Sequence, residues 1–157
     1  MRALRLAVCL LVGLLLSAGL VVAASRSFHA HASGDQEVPA AVTLAQGQAH
    51  FKLSDDGAQL SYKLNVANLD GIRFAHIHIG AAGTNGPVVA FLLQPQSPTT
   101  GRVNGTLAEG VITAADLVGP LAGHPLSDLI AALESGDAYV NVHTDAYPGG
   151  EIRGQIR

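Results

Sequence analysis

The chain has 157 residues, a single cysteine, and nine Lys and Arg against twelve Asp and Glu, a formal charge of −3. No basic excess means no electrostatic footprint for nucleic acid, and Cys9 alone supplies neither a disulfide framework nor a thiolate metal cage. The length suits one domain with a real core.

The N-terminus has Arg2 and Arg5, an uncharged run from Leu6 to Ala24, and small residues at its end in Val22-Ala23-Ala24. That layout predicts a secretory signal peptide over residues 1–24, with an uncleaved anchor as the competing reading because the run is nearly long enough to cross a bilayer. Either places the rest of the chain outside the cytoplasm, periplasmic or extracellular, with no membrane contact once the leader is cut. Cys9 lies too near the start of the run for lipid attachment. With Arg2 and Arg5 set aside, seven basic residues oppose twelve acidic ones, so the exported part carries −5 and no cysteine. Any metal there must be held by His, Asp or Glu, and imidazole suits copper(II) or zinc.

Residues 25–33 are small and polar and predict a flexible lead-in; His29 and His31 have the one-apart spacing of a His-rich segment that can bind copper, but solvated side chains are the preferred reading. The domain proper is expected over 34–157. Gly47 to Leu53 and Leu60 to Val66 alternate apolar with polar residues around Asp55-Asp56-Gly57, a β-hairpin pattern in which His50 has a structural role. Asp70-Gly71 turns the chain into Phe74-Ala75-His76-Ile77-His78-Ile79. The loop Gly80 to Pro87 either brings backbone amides to an ion or is a plain hairpin loop with positive φ at Asn85 and Gly86, and the latter is preferred. Pro87 to Leu93 is a buried strand and Gly101 to Ile112 another.

One short helical insert, about 113–135, follows: Thr113 caps a single turn, and Ser127 caps a helix that Gly136 ends. Ala138 to Thr144 and Glu151 to Arg157 form the last hairpin. The expected fold is all-β, an immunoglobulin-like or Greek-key sandwich or a barrel with seven or so strands.

A strand projects residues two apart onto one face, about 6.5 Å between Cα atoms, so His76 and His78 can lean toward one ion. Ala75 and Ile77 take the core side, as do Val140 and Val142 in the later strand, which leaves His143, Asn141 and Tyr139 on the face of the histidine pair if the two strands are neighbours. The predicted metal ligands are His76, His78 and His143. Further contributors considered are His124, Glu151 and Asp145. Glu151 and Arg153 have one-apart spacing and either join a polar cluster with His143 across the last hairpin or make a plain cross-strand ion pair, and the latter is preferred. No serine or cysteine has a nucleophile's surroundings, and no catalytic residue is assigned.

Gly34-Asp35-Gln36-Glu37-Val38-Pro39, Ala75 to Gly80 with Asn85-Gly86-Pro87-Val88, and Tyr139 to Thr144 through Tyr147-Pro148-Gly149-Gly150-Glu151-Ile152-Arg153-Gly154 together resemble the CHRD (chordin-type) domain from about residue 34 to 157. The resemblance implies a secreted β domain, alone in many bacterial proteins and a module in animal chordins, without an established activity of its own. Growth-factor binding by chordins is not transferred, because their cysteine-rich modules are missing here. The His-x-His strand with a later His is also loosely similar to the copper site of copper/zinc superoxide dismutases, an analogy that does not carry the reaction.

Three functions fit these residues. The leading one is an exported, non-catalytic binding domain with a copper or zinc site on His76, His78 and His143. The second is a copper-dependent, superoxide dismutase-like redox enzyme with Arg153 as anion guide. The third is a cell-surface module that binds an extracellular protein through strand edges and the loops around Gly80 and Tyr147.

Overall fold

The computed structural model describes residues 26–95 and 97–157; the expected leader lies outside them. Eight strands are present: β1 (Ser27–Ser33), β2 (Gln46–Leu53), β3 (Leu60–Leu69), β4 (Ile72–Ile79), β5 (Val88–Leu93), β6 (Val103–Ile112), β7 (Ala138–Thr144) and β8 (Ile152–Gln155). All pair antiparallel in one sheet of order β5-β4-β7-β8-β1-β2-β3-β6, curled into a nearly closed barrel. Of the expected all-β forms, the barrel is the one adopted. The Tyr62 hydroxyl on β3 donates to the Leu92 carbonyl on β5 at 2.9 Å, reaching across the seam where the sheet's two edges approach.

Alternation places the core inside. Leu60, Leu64, Leu69, Ile72, Ala75, Ile77, Val140, Val142 and Ile152 are all completely buried. Each such Leu, Ile or Val contributes about 1.5–3 kcal/mol by leaving water, and a one-residue slip in any strand would exchange this set for its polar neighbours. Register is thereby fixed, and with it the outer face.

The helical insert lies where expected, as 3-10 turns at Ala114–Asp116 and Gly119–Leu121 followed by α1 (Leu126–Ser135). Thr113 and Asp116 form a reciprocal capping box, and Gly136 ends α1 in the left-handed conformation at φ 74°. The helix start differs from expectation. Pro125, not Ser127, is the N-cap residue, because proline's fixed φ and missing N–H suit a helix entrance.

The flexible lead-in is also corrected. Ser27–Ser33 is β1, paired along its whole length with β2 and through Ser33↔Arg153 with β8. Phe28, Ala30 and Ala32 are buried while His29 and His31 face out. Two of the three inward residues are alanines, so the apolar alternation is faint in the sequence, and pairing on both sides supplies what propensity does not.

Candidate metal centre

Strands β4 and β7 are neighbours, with Phe74↔His143, His76↔Asn141 and His78↔Tyr139 in register. His143 therefore sits diagonally from His76 on the outer face. One ring nitrogen from each of His76, His78 and His143 lies within 4.8 Å of the others. His76 Nδ1 and His143 Nε2 are 3.3 Å apart, close to the spacing of about 3.3–3.4 Å that two nitrogens have when both stand 2.0–2.1 Å from a tetrahedral ion.

Hydrogen bonds fix two of the three tautomers. His78 Nδ1–H donates to the Gly86 carbonyl at 2.9 Å, and His143 Nδ1–H donates to the Pro148 carbonyl at 2.9 Å. Carbonyl oxygens only accept, so both Nε2 atoms are unprotonated, that of His143 facing His76 Nδ1; a backbone carbonyl on the distal nitrogen is also the usual support of a metal-bound imidazole. His78 Nε2 is buried and has no hydrogen-bond partner. Leaving such an acceptor unpaired costs about 1–3 kcal/mol, and a cation would satisfy it.

The histidines share the face opposite the core, as expected, yet are only 7–9 % exposed. Covering side chains and loops account for the difference: Phe74 lies 4.5 Å from the His143 ring and Phe91 lies 4.7 Å from His76. Burial, then the neighbouring His143 and His78, lowers the His76 pKa from 6.5 to about 3. Burial likewise lowers those of His78 and His143, opposed in each by the backbone carbonyl bond. All three rings are neutral at pH 7, the state a metal ion requires.

A second layer holds the rings. Tyr139 stacks on His78 at 4.8 Å and 7°, and the Arg153 guanidinium lies 3.5 Å from the centre of the Tyr139 ring, over its face. Arg153 also donates to Asn85 Oδ1 and to the carbonyls of Ala81 and Thr84, while the Gly86 amide donates to the Tyr139 hydroxyl. The loop between β4 and β5 is thus tied by Arg153 and presents its Gly86 carbonyl to His78. A side chain at Gly86 would put its Cβ 1.6 Å from the Ile79 carbonyl oxygen, so only glycine lets the loop come this near. The positive φ expected at Asn85 and Gly86 is instead found at Gly83, φ 79°.

Arg153 is 1 % exposed and its donors are engaged with the loop, which removes it as an anion guide. The expected Glu151–Arg153 ion pair is also corrected: Glu151 accepts from the Thr43 and Thr144 hydroxyls. His124 is exposed and pairs with Asp128 at 2.8 Å, beside the start of α1. Asp145 pairs with Arg73. The structure therefore brings together His76, His78 and His143 and leaves His124, Glu151 and Asp145 outside the group.

Glu37 is the neighbour that sequence reasoning missed. It accepts from Asn141 Nδ2, and a Cβ on Gly150 would stand 2.5 Å from its Oε1, so the absent side chain makes its room. Burial raises the Glu37 pKa from 4.5 to about 7, against the attraction of Arg153 and the bonds from Val38 and Asn141. Its place in the Gly34–Pro39 motif was the available signal; a distant loop packing on β7 was not readable from spacing.

The CHRD domain family model matches residues 28–156. No curated protein and no solved structure matches the chain. The family match begins inside β1, in keeping with that strand belonging to the domain.

Proposed function

The chain belongs to the CHRD domain family, and on that premise we propose that it works outside the cytoplasm as a non-catalytic binding domain holding one copper or zinc ion on His76, His78 and His143. The observation that carries this reading is the buried, unpartnered Nε2 of His78 beside two further imidazoles, with its tautomer set by Gly86. Three neutral nitrogens without a thiolate suit Cu(II) or Zn(II). Bound there, the ion would tie β4 to β7 and stabilise the folded state by mass action. Export is supported by the charge and hydropathy layout of residues 1–24 and by the generally extracellular occurrence of CHRD domains. Among the described residues no helix is long and apolar enough to cross a membrane.

The redox reading has weaker support. Three imidazoles leave a coordination position for a small ligand, but the guanidinium that was to guide an anion is spent on the loop. An extracellular protein partner is supported by Val42 and Leu44, which are 94 % and 85 % exposed on the connection between β1 and β2.

The test is metal analysis after loading the protein, purified without a histidine tag, with Cu2+ or Zn2+ and dialysing it. One tightly held equivalent is expected, lost on His76→Ala, His78→Ala or His143→Ala in variants whose circular dichroism is unchanged. Retention of that equivalent in all three folded variants would overturn the assignment. Superoxide consumption by the copper-loaded protein, abolished in the same variants, would favour the redox reading instead.

A further inference from the structure

His29, His31 and His50 belong to parts of the sequence with no apparent connection, and the fold unites them. All three face outward on β1 and β2 and are exposed. His29 lies directly opposite His50 in the antiparallel register. The His29 N–H and carbonyl both bond to Arg157, on the side of β1 away from β2, at 2.8 and 2.9 Å. The His29↔His50 pair is therefore of the non-hydrogen-bonded type, in which opposed residues come closest, about 4.5 Å between Cα atoms.

We propose that His29 and His50 form a second, exposed metal site, a cross-strand imidazole pair that takes a Cu2+ ion, with water completing its tetragonal nitrogen and oxygen set. Two side chains at this separation can place one nitrogen each about 2.0–2.1 Å from a shared ion. An open trough of about 480 Å³, lined among others by His29, His50, Lys52, Ser61 and Lys63, lies over the pair and leaves room for the ion's water ligands. Of the two lysines, Lys63 is paired with Glu109 at 3.3 Å. Lys52 stays exposed and opposes a cation, which sets this site's affinity below that of the buried centre. His31 stands opposite Gln48, on the diagonal from His50, and its ring is not gathered with those of His29 and His50 as the three buried rings are with one another. This inference does not depend on the buried site.

Equilibrium Cu2+ titration of the protein and of its surface variants tests it. The native protein is expected to bind one weaker equivalent beyond any held by the buried centre. His29→Ala and His50→Ala each lower that affinity about a hundredfold, since either removes one of two linked donors, whereas His31→Ala and His124→Ala change it less than about threefold. In the native protein, Cu2+ at half an equivalent of the weaker site should broaden the ring signals of His29 and His50 together in proton NMR. Equal weakening by His124→Ala would mark adventitious binding to surface imidazoles and overturn the proposal. So would unchanged titrations in the His29 and His50 variants.

Discussion

The same pattern, histidines one residue apart on a strand, occurs twice in this barrel, and the two copies live under opposite conditions. On β4, His76 and His78 are covered by Phe74, Phe91, Tyr139 and the loop that Arg153 ties down. On β1, His29 and His31 face solvent beside a simple ladder. Burial makes the first set neutral, and the Gly86 carbonyl selects the His78 tautomer. Spacing therefore says which rings share a face, while strand adjacency and the surrounding loops decide which of them meet and how well they are prepared for an ion.

Removing the loop's tether should break the contrast most strongly. Arg153→Ala leaves the carbonyls of Ala81 and Thr84 without their buried donor and opens a cavity, so a loss of about 3 kcal/mol or more is expected from urea unfolding. Metal affinity at the buried centre should fall with it by about 10–100-fold, while Cu2+ binding at His29 and His50 stays unchanged. Gly86→Ala should displace the carbonyl from His78 and reduce affinity at the buried centre by a similar factor, measured by competition with a chelator.

Much of this was legible beforehand, for definable reasons. The alternation of Ala75 and Ile77 against His76 and His78, and of Val140 and Val142 against His143, is a local property, so faces could be sorted without a structure. Adjacency of β4 and β7 could not, because the chain between them contains two strands and the helical insert. Nor could the tether: Arg153 reads as an ion-pair candidate or an anion guide, and only the packing of the 80–87 loop reveals its role. β1 escaped notice because alanines at 30 and 32 give a weak apolar signal.

A smaller effect sharpens the electrostatic side. The Glu37 carboxyl has its pKa raised from 4.5 to about 7 in the folded state. The folded protein thus binds more protons than the unfolded chain in that window, and Glu37 contributes a progressive loss of stability as pH rises through it, complete above about 7. Glu37→Gln should remove this slope, so the variant gains on the native protein between pH 4.5 and 7 in denaturant titrations. An unchanged difference across that range would show that the carboxyl titrates normally. Smallest of all, His29→Ala and His50→Ala should alter stability by no more than about 0.5 kcal/mol, as exposed positions do.

X-ray absorption of the protein loaded with one equivalent of zinc addresses the central claim most directly. Three imidazole nitrogens at about 2.0–2.1 Å are predicted, falling to two in a folded His143→Ala variant. A shell dominated by water or carboxylate oxygen, or one unaltered by that substitution, would contradict the account.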